Sequence, residues 1–66
     1  MSVLKVIEIL SSSKESWEDA TSKAVAEASK TLMNIRSAYV QDQSVTIKNN
    51  KVDEYRVNLK ITFEVN

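Results

Sequence analysis

Nine Lys+Arg balance nine Asp+Glu in a chain of 66 residues and 7.5 kDa, so its formal net charge is zero. With no Cys, His or Gly, it lacks the residues for thiolate metal sites, disulfides, Ser-His-Asp triads, phosphate loops and dinucleotide fingerprints. Electroneutrality also argues against nucleic acid or an anionic membrane as partner, because both reward a basic excess.

Residues 1–66 read as one domain, and a small one. A chain of this length buries only about 60% of the surface that its unfolded form exposes. Without a disulfide or an obvious metal staple, association with copies of itself is the expected route to stability. The apolar stretch Val3 to Leu10 is interrupted by Lys5 and Glu8. It is too short and too polar for a signal-peptide core or a membrane span, so a cytoplasmic protein is expected.

In chain order, Val3 to Leu10 is β-branched and apolar and predicts a strand. Its alternation places Ile7 and Ile9 on one face and Leu4, Val6 and Leu10 on the other, so both faces call for cover. The serines Ser11, Ser12 and Ser13 are expected to end this strand and to start a helix, with Ser12 or Ser13 as the cap. Glu15, Glu18 and Asp19 suit the positive end of its dipole. Trp17, Ala20, Ala24, Ala28, Leu32 and Ile35 recur every three or four residues, which predicts a helix over about Lys14 to Met33. Its alanine-rich middle allows close approach to a sheet, with Trp17 as a core residue.

Ser37 to Lys48 reads as a second strand. Asn49-Asn50 suits a two-residue hairpin turn, because Asn tolerates positive φ. From Tyr55 to Val65 apolar and polar residues alternate without a miss, which predicts a strand with one dry face. Pairing Lys48 with Lys51 sets Val40 opposite Leu59, Ala38 opposite Ile61 and Ile47 opposite Val52. In that register the apolar side switches face along the hairpin. The helix then covers the base, and Val45, Ile47 and Val52 at the tip are left for another subunit.

The expected fold is therefore α+β: a β-α-β-β protomer, with a three-stranded antiparallel sheet packed on one helix. Opposite the helix lie Ser37, Tyr39, Gln41, Gln43, Arg56, Asn58, Lys60 and Thr62, a polar face that could line a pocket between subunits. No arrangement of side chains proposes a reaction, and no catalytic residue is assigned.

With the elements placed, the chain resembles the dodecins, small proteins whose β-α-β-β protomers form hollow dodecamers and bind flavins. The resemblance rests on Lys5-Val6-Ile7-Glu8-Ile9, on Ser13 with Ser16-Trp17-Glu18, on Asn34-Ile35-Arg36, and on the run from Tyr55 to Glu64. It implies a non-catalytic homododecamer that sequesters riboflavin, FMN, FAD or a related nucleotide. It also implies that Ser37 stands where flavin-binding members carry a stacking Trp, and Arg56 where they carry a Gln. Tyr39 and Gln43, on the same expected face, complete the candidate ligand site. A branch of the family without the Trp is similar in its Ser-Trp-Glu and Ile-Arg segments and implies calcium as the alternative ligand. The hard oxygen donors for calcium would be drawn from Glu8, Glu15, Glu18, Asp19, Asp42, Asp53, Glu54 and Glu64, with no EF-hand spacing among them.

Overall fold

A computed structural model describes residues 3–65. It contains β1 (Val3–Ser13), α1 (Trp17–Ala28), β2 (Ile35–Lys48) and β3 (Lys51–Val65). The sheet order is β1-β3-β2, with β3 antiparallel to both neighbours. Helix α1 thus connects two outer strands across the central one. This is the β-α-β-β arrangement expected from the sequence.

Four element boundaries differ from expectation: the end of β1, both ends of the helix, which starts at Trp17 and not at Lys14, and the start of β2, at Ile35 and not at Ser37. The three serines do not end β1; they extend it, with Ser11, Ser12 and Ser13 paired to Val57, Arg56 and Tyr55. A long central strand offers backbone partners that outweigh the local preference of serine for caps and turns. Ser11 and Ser13 also satisfy their hydroxyls on the helix side: Ser11 Oγ donates to the Ala20 carbonyl at 2.8 Å, and Ser13 Oγ donates to Asp19 Oδ2 at 2.6 Å. The cap is Ser16, whose Oγ accepts from the Asp19 N–H at 2.9 Å. At its other end the helix stops at Ala28, short of Met33. The Leu32 N–H still reaches the Ala28 carbonyl at 2.9 Å. Asn34 then turns the chain at φ 60°, and Ile35 opens β2 instead of extending the helical stripe.

The core is thin. Ala20, Ala24 and Ala28, one above another on α1, are buried with Val57, Leu59 and Ile61 of β3. Ile9 and Trp17 pack against Ala20, Ala24, Val57 and Leu59 of this set. Alanine at every contact turn lets the helix backbone lie close to the sheet, so β3 supplies nearly all the bulk.

The hairpin turn forms as expected, with Asn49 at φ 54° and Asn50 at φ 61°, the pair of left-handed residues that matches strand twist. The register agrees at both ends: Lys48↔Lys51 and Ile47↔Val52 at the tip, Val40↔Leu59 and Ala38↔Ile61 at the base. Between them it slips by one. Asp53 is an unmatched residue on β3, Gln41 is an unmatched residue on β2, and the two irregularities cancel.

That slip overturns the expected switch of faces. Gln43 lies opposite Val57 and Val45 opposite Tyr55, which are helix-side positions because directly opposed residues share a face. Gln43 therefore leaves the outer face, and Val45 and Ile47 join the helix side. The bulge at Gln41 absorbs the break in alternation between Val40 and Val45. The tip is uncovered for a different reason: a helix of 12 residues spans only about 18 Å, whereas the molecule is 51 Å long.

Candidate functional site

The outer face is built from alternate residues of all three strands. Leu4, Val6, Leu10 and Ser12 of β1 lie opposite Glu64, Thr62, Asn58 and Arg56 of β3. On the other side of β3, Ser37, Tyr39, Asp42 and Ser44 of β2 lie opposite Thr62, Lys60, Asn58 and Arg56. The β1 edge thus carries three apolar residues, with Glu8, opposite Lys60, between Val6 and Leu10, and the rest of the face is polar. Leu4, Val6 and Leu10 are 54%, 57% and 69% exposed, as the two-faced pattern of β1 requires.

Three of the four candidate ligand residues share this face. Ser37 and Tyr39 stand on β2 and Arg56 on β3, but not in one cluster. Ser37 and Tyr39 pair with Thr62 and Lys60, whereas Arg56 pairs with Ser44, four to six residues further along the central strand. Tyr39 is 66% exposed and free to present its ring. Gln43 is on the helix side. Around Arg56 the surface dips into a cavity of about 320 Å³ lined by Leu10, Ser11, Ser12 and Arg56. Among the described residues Arg56 makes no ion pair or side-chain hydrogen bond, whereas Arg36 Nε donates to Glu64 Oε1 at 2.9 Å.

Trp17 belongs to the body of the fold. Its ring meets Tyr55 edge-on with centroids 5.2 Å apart, and its Nε1–H donates to the Ser44 carbonyl at 3.0 Å. It therefore ties the start of α1 to the bulged part of β2. Asn58, between Leu10 and Asp42, has a buried Oδ1 with no hydrogen-bond partner among the described residues. The alternating pattern marked it only as a polar position.

The carboxylates are dispersed. Asp19 is held below the ordinary aspartate value of 3.8, first by the Ser13 hydroxyl and then by Lys23, whose Nζ lies 3.0 Å away. Asp53 faces Lys14 at 3.6 Å. Among the described residues no three His, Cys, Asp or Glu side chains converge as a metal site would need. Nor is any helix among them long and apolar enough to cross a membrane.

Comparison with known proteins gives one answer. The dodecin family model matches residues 3–66. This chain belongs to the dodecin family. It is 37% identical over 65 residues to the calcium dodecin of Mycobacterium tuberculosis, covering 98% of this chain and 92% of that one. The crystal structure of that calcium-chelating protein, described with a calcium-binding site, superposes with a TM-score of 0.86 at 36% identity, over 98% and 93% of the two chains. A variant of the Thermus thermophilus dodecin superposes with a TM-score of 0.94 at 33% identity, over 100% of this chain and 98% of that one. The β-α-β-β topology derived from the sequence is the dodecin fold.

Proposed function

We propose that this dodecin is a non-catalytic cytoplasmic protein that assembles with copies of itself and sequesters a small molecule against the outer face of its sheet. The observation that carries this reading is that face: three exposed apolar side chains, Leu4, Val6 and Leu10, along its β1 edge, beside a polar field in which Arg56 has no ion-pair or hydrogen-bond partner among the described residues. The size of the protomer supports the assembly. Its radius of gyration of 13.5 Å exceeds the roughly 11 Å of a compact chain of this length. Its surface of 4921 Å² exceeds the roughly 4,250 Å² usual for this mass. The resemblance supports twelve copies.

The ligand we favour is an aromatic nucleotide of the flavin kind, held by Tyr39, Ser37 and Arg56. Ser37 offers no π-face, so stacking falls to Tyr39 or to the planar guanidinium of Arg56. The similarity to a calcium dodecin favours a second reading, a divalent-cation site. Carboxylates from different copies would have to build it, because calcium takes 6–8 oxygens and no acidic cluster forms among the described residues of one chain.

Light scattering for the mass, with riboflavin and FMN titrated against quenching of their fluorescence, tests the first reading. A folded monomer, or no saturable quenching at micromolar flavin, refutes it. Calcium added to the metal-free protein tests the second: saturation to 100 times Kd stabilises by about 2.7 kcal/mol, and a melting temperature indifferent to calcium and chelator refutes it.

A further inference from the structure

We infer that Ser12, Arg56 and Ser44 form an oxyanion subsite that takes a singly charged group, a carboxylate or a phosphodiester, on an organic ligand. Ser12 of β1 and Ser44 of β2 lie directly opposite Arg56 of β3. One guanidinium thus sits mid-sheet between two hydroxyls on the same face. Directly opposed side chains are about 5 Å apart at Cβ, so all three can converge on one small anion. The guanidinium provides a planar fork of donors, and each hydroxyl can add one more.

Arg56 is available for this role. Among the described residues it has no ion-pair or hydrogen-bond partner, although the chain carries as many acids as bases. The cavity of about 320 Å³ at Leu10, Ser11, Ser12 and Arg56 gives the anion and an adjoining apolar group a place to enter, within the usual size of small-molecule sites. Leu10 forms the apolar wall.

The neighbouring charges set the preference for one negative charge. Asp42 lies diagonal to Arg56 through its pairing with Asn58, and Glu54 is two residues along β3. Residues at such spacings are about 7 Å away, inside the screening length of physiological salt. Arg56 neutralises one charge of the ligand. A second charge would meet two carboxylates with no further cation in the row. The inference rests on the outer face being the binding face, and it names what the Arg56 end of that face recognises.

The test is fluorine NMR on the assembled full-length protein with four probes: para-fluorobenzoate, methyl para-fluorophenyl phosphate, para-fluorophenyl phosphate and uncharged para-fluorobenzamide. The benzoate or the methyl diester should bind saturably, and more tightly than the doubly charged monoester or the amide. Arg56→Gln should weaken that binding by about tenfold or more, the loss expected for a charge-assisted fork, and Ser12→Ala and Ser44→Ala by smaller factors. Lys60→Gln, which removes a cation from the same face outside the row, should change it less than twofold. Light scattering checks that each variant keeps its mass. Equal binding by Arg56→Gln and the parent overturns the subsite, and tighter binding of the monoester overturns the charge preference. If riboflavin binds and no anion does, the subsite falls while the proposed function stands. If neither binds and the protein is monomeric, both fall.

Discussion

Leu10 is the sharpest place to test whether the outer face is an assembly surface. Its side chain is 69% exposed and stands on the edge strand β1, opposite Asn58 of the central strand. Complete burial of a leucine is worth about 1.5–3 kcal/mol, so covering what remains exposed gains about 1–2 kcal/mol per copy. Leu10→Ser removes that gain and gives the face a hydroxyl that needs a partner. Where two copies meet across a two-fold axis the loss counts twice, about 2–4 kcal/mol, or a dissociation constant weakened roughly 30- to 700-fold. The protomer's own fold should hardly notice, because Leu10 lies outside the buried cluster of Ala20, Ala24, Val57 and Leu59.

Sedimentation velocity on a dilution series from micromolar to nanomolar protein measures this, with circular dichroism at each concentration for secondary structure. The parent should stay assembled over most of the series, and Leu10→Ser should dissociate at much higher concentration. Lys14→Ser, an exposed change elsewhere, controls for handling. If Leu10→Ser dissociates in parallel with the parent, that part of the face lies outside any interface. If the parent is a well-folded monomer throughout, the reasoning from uncovered apolar surface fails.

Ser13→Ala should destabilise by about 1–3 kcal/mol in a chemical melt, because the Glu15 N–H, now 2.9 Å from a hydroxyl that is itself buried, loses its acceptor. The same hydroxyl is the first cause of the lowered Asp19 pKa. A depressed carboxyl adds stability above its unfolded pKa and loses it as pH falls through the folded one. Asp19→Asn should therefore cost stability at neutral pH, and that cost should shrink as pH falls below the ordinary value of 3.8; an equal cost at neutral and acid pH would refute the assignment. Asn58→Val removes a buried carbonyl oxygen without a partner and puts a β-branched residue in a central strand, so melting should rise by about 4–8 °C for each kcal/mol recovered; a lower melting temperature would mean that Asn58 has a partner in the assembly. Trp17→Phe keeps the ring against Tyr55 but loses the bond to the Ser44 carbonyl, and should cost about 1 kcal/mol together with faster amide exchange in the 42–48 part of β2.

The sequence made some features of this molecule plain and concealed others, and the difference is physical. Local rules suffice where one residue type answers one local need. Asn49 and Asn50 adopt the positive φ that few other residues accept, and Val57, Leu59 and Ile61 alternate onto the dry face of β3. The serines misled because their preference for caps is a matter of about 1 kcal/mol, whereas pairing with a long neighbouring strand supplies a ladder of backbone bonds. The bulges at Gln41 and Asp53 were hidden for a further reason. One extra residue on each strand restores the register at the base, so Val40 opposite Leu59 looks right whether or not the middle has slipped. Only the middle betrays the slip, and there it decides which residues share the outer face: it sends Gln43 to the helix side and brings Ser44 beside Arg56. A register assumed to be uniform would have set Gln43 opposite that arginine, an amide in place of a hydroxyl. The candidate anion row thus depends on two irregularities that leave almost no trace in the alternation of apolar and polar residues. The apolar edge of β1, by contrast, follows from its first eight residues alone.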